Sequence, residues 1–354
     1  MVDYILTSLL LLGLLFSVVY KAKAHPDGNQ YFFDKMNTNA MRGFWCIIVI
    51  LVHVPAAYQN KIQDMAGSFA YIGVTFFFLT SAFGLTTGLK NNPNGKYCFW
   101  RRRFPALLIP SFLANLFVAG MLLLLTGEKK SIGSIFHINS WVMWLMFCYV
   151  VFWLSHILCD NSNICEFIQD AVIILTSLVL YFLRNGEIID ISFWPTEIWG
   201  FIWGSLLARH LTKFVAFTGQ QWLKKCILTC IAALFLGILY LKFKTIVFWG
   251  EYLLKIGLGI AITLFILQLN IRFSISNKYA AFLGSISFEI YLIHDAVMSV
   301  IGTLFPQAPS GIFIIVSVVT SIVTAYIIHK CVVILIAQVY KIRWFQVKGT
   351  NPAE

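Results

Sequence analysis

Runs of about twenty apolar residues follow one another along almost the whole chain, and this limits the possible folds more than any other feature. A helix that crosses a bilayer needs roughly 20 mainly apolar residues. Only helices and closed barrels satisfy their backbone hydrogen bonds without water. Eleven spans are read: 3–22, 40–58, 68–89, 104–126, 139–158, 165–183, 193–211, 224–241, 246–270, 280–304 and 311–340. The runs are long and lack the two-residue alternation of barrel strands. Charged residues make up 12% of the chain, about half the share in a soluble domain. That density cannot coat a water-facing surface, so an arrangement of soluble domains is excluded. The expected fold class is all-α, a polytopic integral membrane helix bundle of about 11 spans.

The formal net charge is +11. Its distribution explains it without nucleic acid. With the loop 21–39 placed in the cytoplasm, that side collects 18 Lys and Arg, among them Lys21, Lys35, Arg42, Lys96, Arg101, Arg102, Arg103, Arg343 and Lys348. The opposite side holds 6, including Lys61, Lys129, Lys130 and Lys244. By the positive-inside rule the C-terminus is cytoplasmic and the N-terminus outside. Ala22-Lys23-Ala24 looks like a signal-peptidase site, but Asp3 precedes the first run and the lysines follow it, so 3–22 is read as an additional span. The chain then divides into 1–39 (first span and basic loop), 40–341 (membrane domain) and 342–354 (cytoplasmic tail). Most of the eight cysteines lie in apolar runs, and there is no CxxC. Cys226 and Cys230 are one turn apart without a His at ligand spacing, so all eight are read as packing residues and no metal is expected.

Arg42 and His53 are eleven residues apart, about three helical turns and roughly 16 Å along one face. Arg42 would sit at the cytoplasmic boundary, within reach of phosphates. His53 would lie within the bilayer, where an imidazole needs protein or water around it and is a functional candidate by default. Histidine is also the usual general base near neutral pH. The spacing suits a long donor with phosphates at one end and a reactive group at the other, the shape of coenzyme A. The bland alternative is a snorkelling arginine and a histidine hydrogen-bonded between helices.

Four segments in order resemble the signature of the acyltransferase-3 family, bacterial membrane O-acyltransferases that modify surface polysaccharides and related glycoconjugates. Arg42 and His53 match its Arg, ten residues, His pattern. Gly73-Val-Thr-Phe-Phe-Phe-Leu-Thr-Ser81-Ala-Phe-Gly84 resembles its GVxFFFxxSGF stretch. Arg101-Arg102-Arg103 leading to Pro110 resembles its basic turn. Leu283-Gly-Ser-Ile-Ser287-Phe-Glu-Ile-Tyr291-Leu-Ile-His294 resembles its LGxxSYxxYLxH segment. The likeness covers about 300 residues and ten spans from residue 40 onward. The chain departs from the pattern at Ala82, Phe288 and Ala106, and by its first span. Ala106 stands where a second arginine is usual, which moves donor contacts onto Arg101 and Arg102.

The resemblance implies acyl transfer, with acetyl the first choice, from cytoplasmic acyl-CoA to a hydroxyl of an extracytoplasmic or lipid-linked sugar at the plasma membrane. His53 and Arg42 would be catalytic. Arg101, Arg102 and Arg103 would bind the donor, which guanidinium groups do well through phosphates. Ser287, Tyr291 and His294, spaced i, i+4, i+7 on one helix face, would meet the acceptor together with Ser81. Expected partners are the bilayer, the glycan acceptor and, as an open option, a second copy of the chain. Two other readings stand beside it: a proton-coupled transporter or flippase relaying through His53 and His294, and a non-catalytic sensor or scaffold. Elsewhere, Gly84-x-x-x-Gly88 reads as a close-packing motif and Glu251–Lys255 as a structural ion pair. His156 and His329 read as interfacial, and Trp194, Trp199 and Trp203 as an aromatic belt beside Glu197.

Overall fold

The computed structural model describes residues 2–29, 31–159, 162–187, 195–275 and 277–342. Trp194, Arg343 and Lys348 lie outside the described residues, as does the tail from 343. In chain order the helices are α1 (Val2–Val19), α2 (Lys35–Val52), α3 (Lys61–Gly67), α4 (Ala70–Asn91), α5 (Phe99–Thr126) and α6 (Ile132–Ile135). They continue with α7 (Ser140–Leu158), α8 (Ser162–Asn185), α9 (Trp199–Arg209), α10 (Leu211–Gly219) and α11 (Trp222–Phe243). A π-helical turn, Trp249–Leu254, leads into α12 (Lys255–Arg272), followed by α13 (Lys278–Ser285), α14 (Ser287–Leu304) and α15 (Ser310–Val339). Among the described residues the strands are β1 (Lys23–Ala24) and β2 (Phe273–Ser274), paired antiparallel with Lys23 opposite Ser274. The chain is a polytopic all-α membrane protein.

Nine helical stretches among the described residues are long and apolar enough to cross a membrane. The other two of the eleven expected spans fall on α2 and α9. α2 has 18 residues and is buried on nearly every side from Met41 to Leu51, as a helix enclosed by others must be. α9 has only 11 residues, roughly 16 Å, about half the hydrocarbon thickness. The expected span 193–211 is therefore a half-span, and the chain turns at His210 into α10. Two further boundaries move. The expected span 40–58 starts earlier, at Lys35, capped by the Asp34 side chain on Asn37 N, and stops at Val52. The expected span 280–304 breaks at Ile286 into α13 and α14.

Glycines set the closest helix contacts. A Cβ on Gly200 or Gly204 of α9 would collide with the Thr75 and Leu79 carbonyls of α4. Gly43 of α2 and Gly284 of α13 are likewise pressed against backbone. By contrast, a Cβ on Gly84 or Gly88 would meet nothing within 4 Å. The close-packing role read into Gly84-x-x-x-Gly88 thus belongs to Gly200-x-x-x-Gly204. α1 lies at the periphery, with Leu9, Leu12, Leu15 and Phe16 exposed. It is tied in by polar contacts: Gly311 N donates to Asp3 Oδ1 (2.8 Å), and Asn60 Nδ2 donates to Thr7 Oγ1 (2.9 Å) and Ser310 Oγ (2.8 Å).

The connections gather at two ends of the bundle. At one, Lys23–Ala24 pair with Phe273–Ser274, Trp153 Nε1 donates to Lys96 O (3.0 Å), Lys96 Nζ to His156 O (3.0 Å) and Tyr340 Oη to Arg102 O (3.0 Å). At the other, Tyr58 Oη donates to Gly302 O and Phe305 O, and Lys244 Nζ to Ser68 Oγ (2.9 Å). The two sets of loops are the same two sets into which the charge distribution divides the sequence.

Candidate active site

Pro55 fixes the position of His53. The residue before a proline is pushed out of the helical region, so α2 cannot continue through Val54 and ends with His53 as its C-cap (φ −94°, ψ 3°). The ring folds back over the last turn, with Nδ1 2.9 Å from Val49 O. His294 is held in the same way inside α14, Nδ1 3.1 Å from Ile290 O. Carbonyl oxygens only accept, so in both rings Nδ1 carries the hydrogen. His294 Nε2 then presents a lone pair, 3.2 Å from His53 Nδ1, and accepts a share of that hydrogen. The ring centroids are 4.7 Å apart, edge to face. His53 Nε2 is left with its lone pair uncommitted, which is what a general base requires.

Asp295, which the sequence reading did not single out, places Oδ1 3.4 Å from His294 Nε2. A proton taken up by His53 can therefore be delocalised over His294 towards a carboxylate. Donor atoms of His53, His294 and Asp295 lie within 4.8 Å of one another, a spacing a cation would accept.

The two imidazoles line a cavity of about 560 Å³, within the roughly 300–1,000 Å³ range of small-molecule sites. Its wall includes Trp141 and Tyr291, each at least nine-tenths buried. Trp141 Nε1 and Tyr291 Oη both lack a hydrogen-bond partner. Buried donors are normally satisfied, and each orphan costs about 1–3 kcal/mol. Both residues lie along one wall of the cavity. The lining also includes Asp64 and Gly67 of α3, Ser68, Asn139, Lys244 and Thr245.

Arg42 is half-buried in α2, with its guanidinium 4.5 Å above the Phe77 ring and Nε unpartnered. It lines neither His53's cavity nor the basic pocket at the other end. Phe77 in turn packs edge-on against Tyr291 (4.5 Å) and Trp141 (6.2 Å). An aromatic wall thus separates Arg42 from the imidazoles. The basic pocket, about 90 Å³, is lined by Lys96, Arg102, Arg103 and His156 among others. That is room for a phosphate group. Arg101 is on the same helix and does not line it. Ser287 is buried and donates to Gly284 O (2.7 Å), bridging the break at Ile286, and Ser81 lines neither space. The structure thus brings together His53, His294 and Tyr291, and separately Arg102 and Arg103.

Several other sequence readings change. Lys255 pairs with Glu197 (3.4 Å), not with Glu251, and both partners are almost wholly buried. His329 is not merely interfacial: Nδ1 lies 2.8 Å from Oε1 of the buried Glu289. His156 joins the basic pocket, its Nδ1 2.8 Å from Phe152 O. All eight cysteines are unbridged.

A family model described as an acyltransferase domain matches residues 37–330. The chain belongs to the acyltransferase-3 family. It is a membrane acyltransferase. A search of curated proteins and of solved structures returned no match. The family match begins at residue 37, past α1.

Proposed function

We propose that this acyltransferase moves an acyl group, acetyl in the first instance, from acyl-CoA in the cytoplasm to a sugar hydroxyl at the far face of the plasma membrane. The observation that carries the reading is the array His53–His294–Asp295 opening on a cavity whose two buried donors, Trp141 Nε1 and Tyr291 Oη, have no partner. The 18-to-6 charge distribution makes the basic end cytoplasmic. The donor would then come in from the end bearing Arg102 and Arg103, and the acceptor from the opposite end.

His53 Nε2 removes the proton of the acceptor hydroxyl as its oxygen attacks the thioester carbonyl. Negative charge builds on the carbonyl oxygen, where hydrogen-bond donors already in place are worth most. Tyr291 Oη and Trp141 Nε1 are such donors. The C–S bond then breaks, and the thiolate takes the proton back from the His53 imidazolium. Atoms balance as ester plus thiol. While charged, His53 is stabilised through Nδ1–H on His294 Nε2. Arg102, Arg103 and Lys96 hold phosphate, and Arg42 stacks on Phe77 of the aromatic wall between the two spaces. Replacing His53 by alanine should abolish acyl transfer to the cell-surface glycan while the protein still accumulates in the membrane. Undiminished acylation by that variant would refute the assignment.

A further inference from the structure

The cavity that holds His53 contains a second polar cluster that the transfer step above does not use. Glu197 and Lys255 form an ion pair with side chains 3% and 5% exposed. Lys255 Nζ lies 4.6 Å from the centre of the Tyr71 ring, and Tyr71 Oη donates to Lys255 O (3.0 Å). Tyr240 packs on Tyr71 at 5.6 Å, and Glu197, Lys255, Tyr71 and Tyr240 all line the cavity. A buried ion pair is weak evidence for stability, because desolvation consumes most of the attraction. Charged residues inside a membrane bundle are correspondingly a mark of function.

Local backbone points the same way. Glu251, also on the cavity wall, is carried by the π-helical turn Trp249–Leu254. That turn begins at Phe248, a non-glycine residue with φ +61°. π-turns and strained φ values concentrate at functional sites. Here the extra residue sets Glu251 on the cavity wall next to the start of α12, while Lys255 turns to Glu197.

Charge decides what the cluster can hold. The cavity is lined by four carboxylates, Asp64, Glu197, Glu251 and Asp295, and by two ammonium groups, Lys244 and Lys255. An anionic sugar would lose its hydration to face a net acidic wall. Aromatic rings with carboxylate acceptors suit an uncharged polyol, whose hydroxyls donate to the carboxylates and whose C–H faces lie on Tyr71 and Tyr240. We propose that Glu197, Lys255 and Glu251, with Tyr71 and Tyr240, form the acceptor subsite and select an uncharged sugar over a uronate or phosphosugar. This rests on the acyl-transfer reading for the identity of the acceptor, but binding tests it independently of catalysis.

The protein in lipid nanodiscs is titrated calorimetrically with methyl glucoside, galactoside and mannoside and with the matching methyl uronides. At least one neutral glycoside should bind about tenfold or more tighter than its uronide. E251Q should weaken that binding about tenfold. The double variant E197Q/K255M, which removes both charges and so leaves none buried alone, should do the same. Equal or tighter binding of the uronides, no binding of any glycoside, or full affinity in both variants would overturn the proposal. His53→Ala should bind the neutral glycoside normally yet transfer no acetyl from acetyl-CoA. If it transfers acetyl, the base assignment fails while the subsite stands.

Discussion

His53 can act as a base only because its other nitrogen is occupied. Val49 O and His294 Nε2 compete for the Nδ1 hydrogen, and this leaves Nε2 facing the cavity with a lone pair. Losing the base should lower kcat roughly 10²–10⁴-fold, the usual contribution of general acid–base catalysis. His294 touches the reaction only through His53 and is a positioning residue. His294→Gln retains an acceptor oxygen and should keep more activity than His294→Phe, and the pH–rate profile of the glutamine variant should shift while its acceptor KM holds. The pattern Arg42, ten residues, His53 and the i, i+4, i+7 face of α14 were legible in the sequence as one-dimensional spacing. Asp295 and the orphaned Trp141 were not, because their significance arises from which helix they meet. Arg42 illustrates the limit: its helix position was readable, but its stacking over Phe77 depends on α4 packing across α2.

At the level of elements, interruptions seat two of the cavity-lining side chains, His53 at the end of α2 and Glu251 on the π-turn. Pro55 ends α2 at His53, Ile286 separates α13 from α14, and the π-turn starts α12. Hydropathy reads a span as continuous through such breaks, which is why 40–58 and 280–304 came out too simple. Small residues mark where helices touch, but spacing alone does not tell which ones do. Gly204→Val would force a side chain into the Leu79 carbonyl and should destabilise the protein by about 1–3 kcal/mol or more, the cost of overpacking. Gly84→Ala meets open space and should be neutral or slightly stabilising. Thermal unfolding of both variants in detergent measures the contrast, and equal melting would show that the α4–α9 contact is looser than the structure has it.

For the whole molecule, the two ends divide the labour. The basic end has a phosphate-sized pocket, the other a cavity that the proposed function gives to the acceptor, and the aromatic wall of Phe77, Trp141 and Tyr291 lies between. Charge counting along the sequence already separated the two ends, because loop charge is a one-dimensional property. The wall was illegible, since it is built from α4, α7 and α14. Removing Arg102 or Arg103 should raise the donor KM about tenfold, in keeping with the roughly 1.5–3 kcal/mol of a hydrogen bond to a charged group. kcat should barely change, because phosphate is held equally in ground and transition states. Steady-state kinetics with varied acetyl-CoA provide the check, and a fall in kcat alone would place these arginines elsewhere in the cycle.

The central claim is that one imidazole at the end of α2 serves as the base when an acyl group passes from the thioester to a glycan. Mass spectrometry of ester-linked acyl groups on surface glycan, from cells making the native chain or the His53→Ala variant at matched membrane levels, tests it most directly. The account predicts acyl esters with the native chain and none above background with the variant. Equal ester content in the two would contradict it.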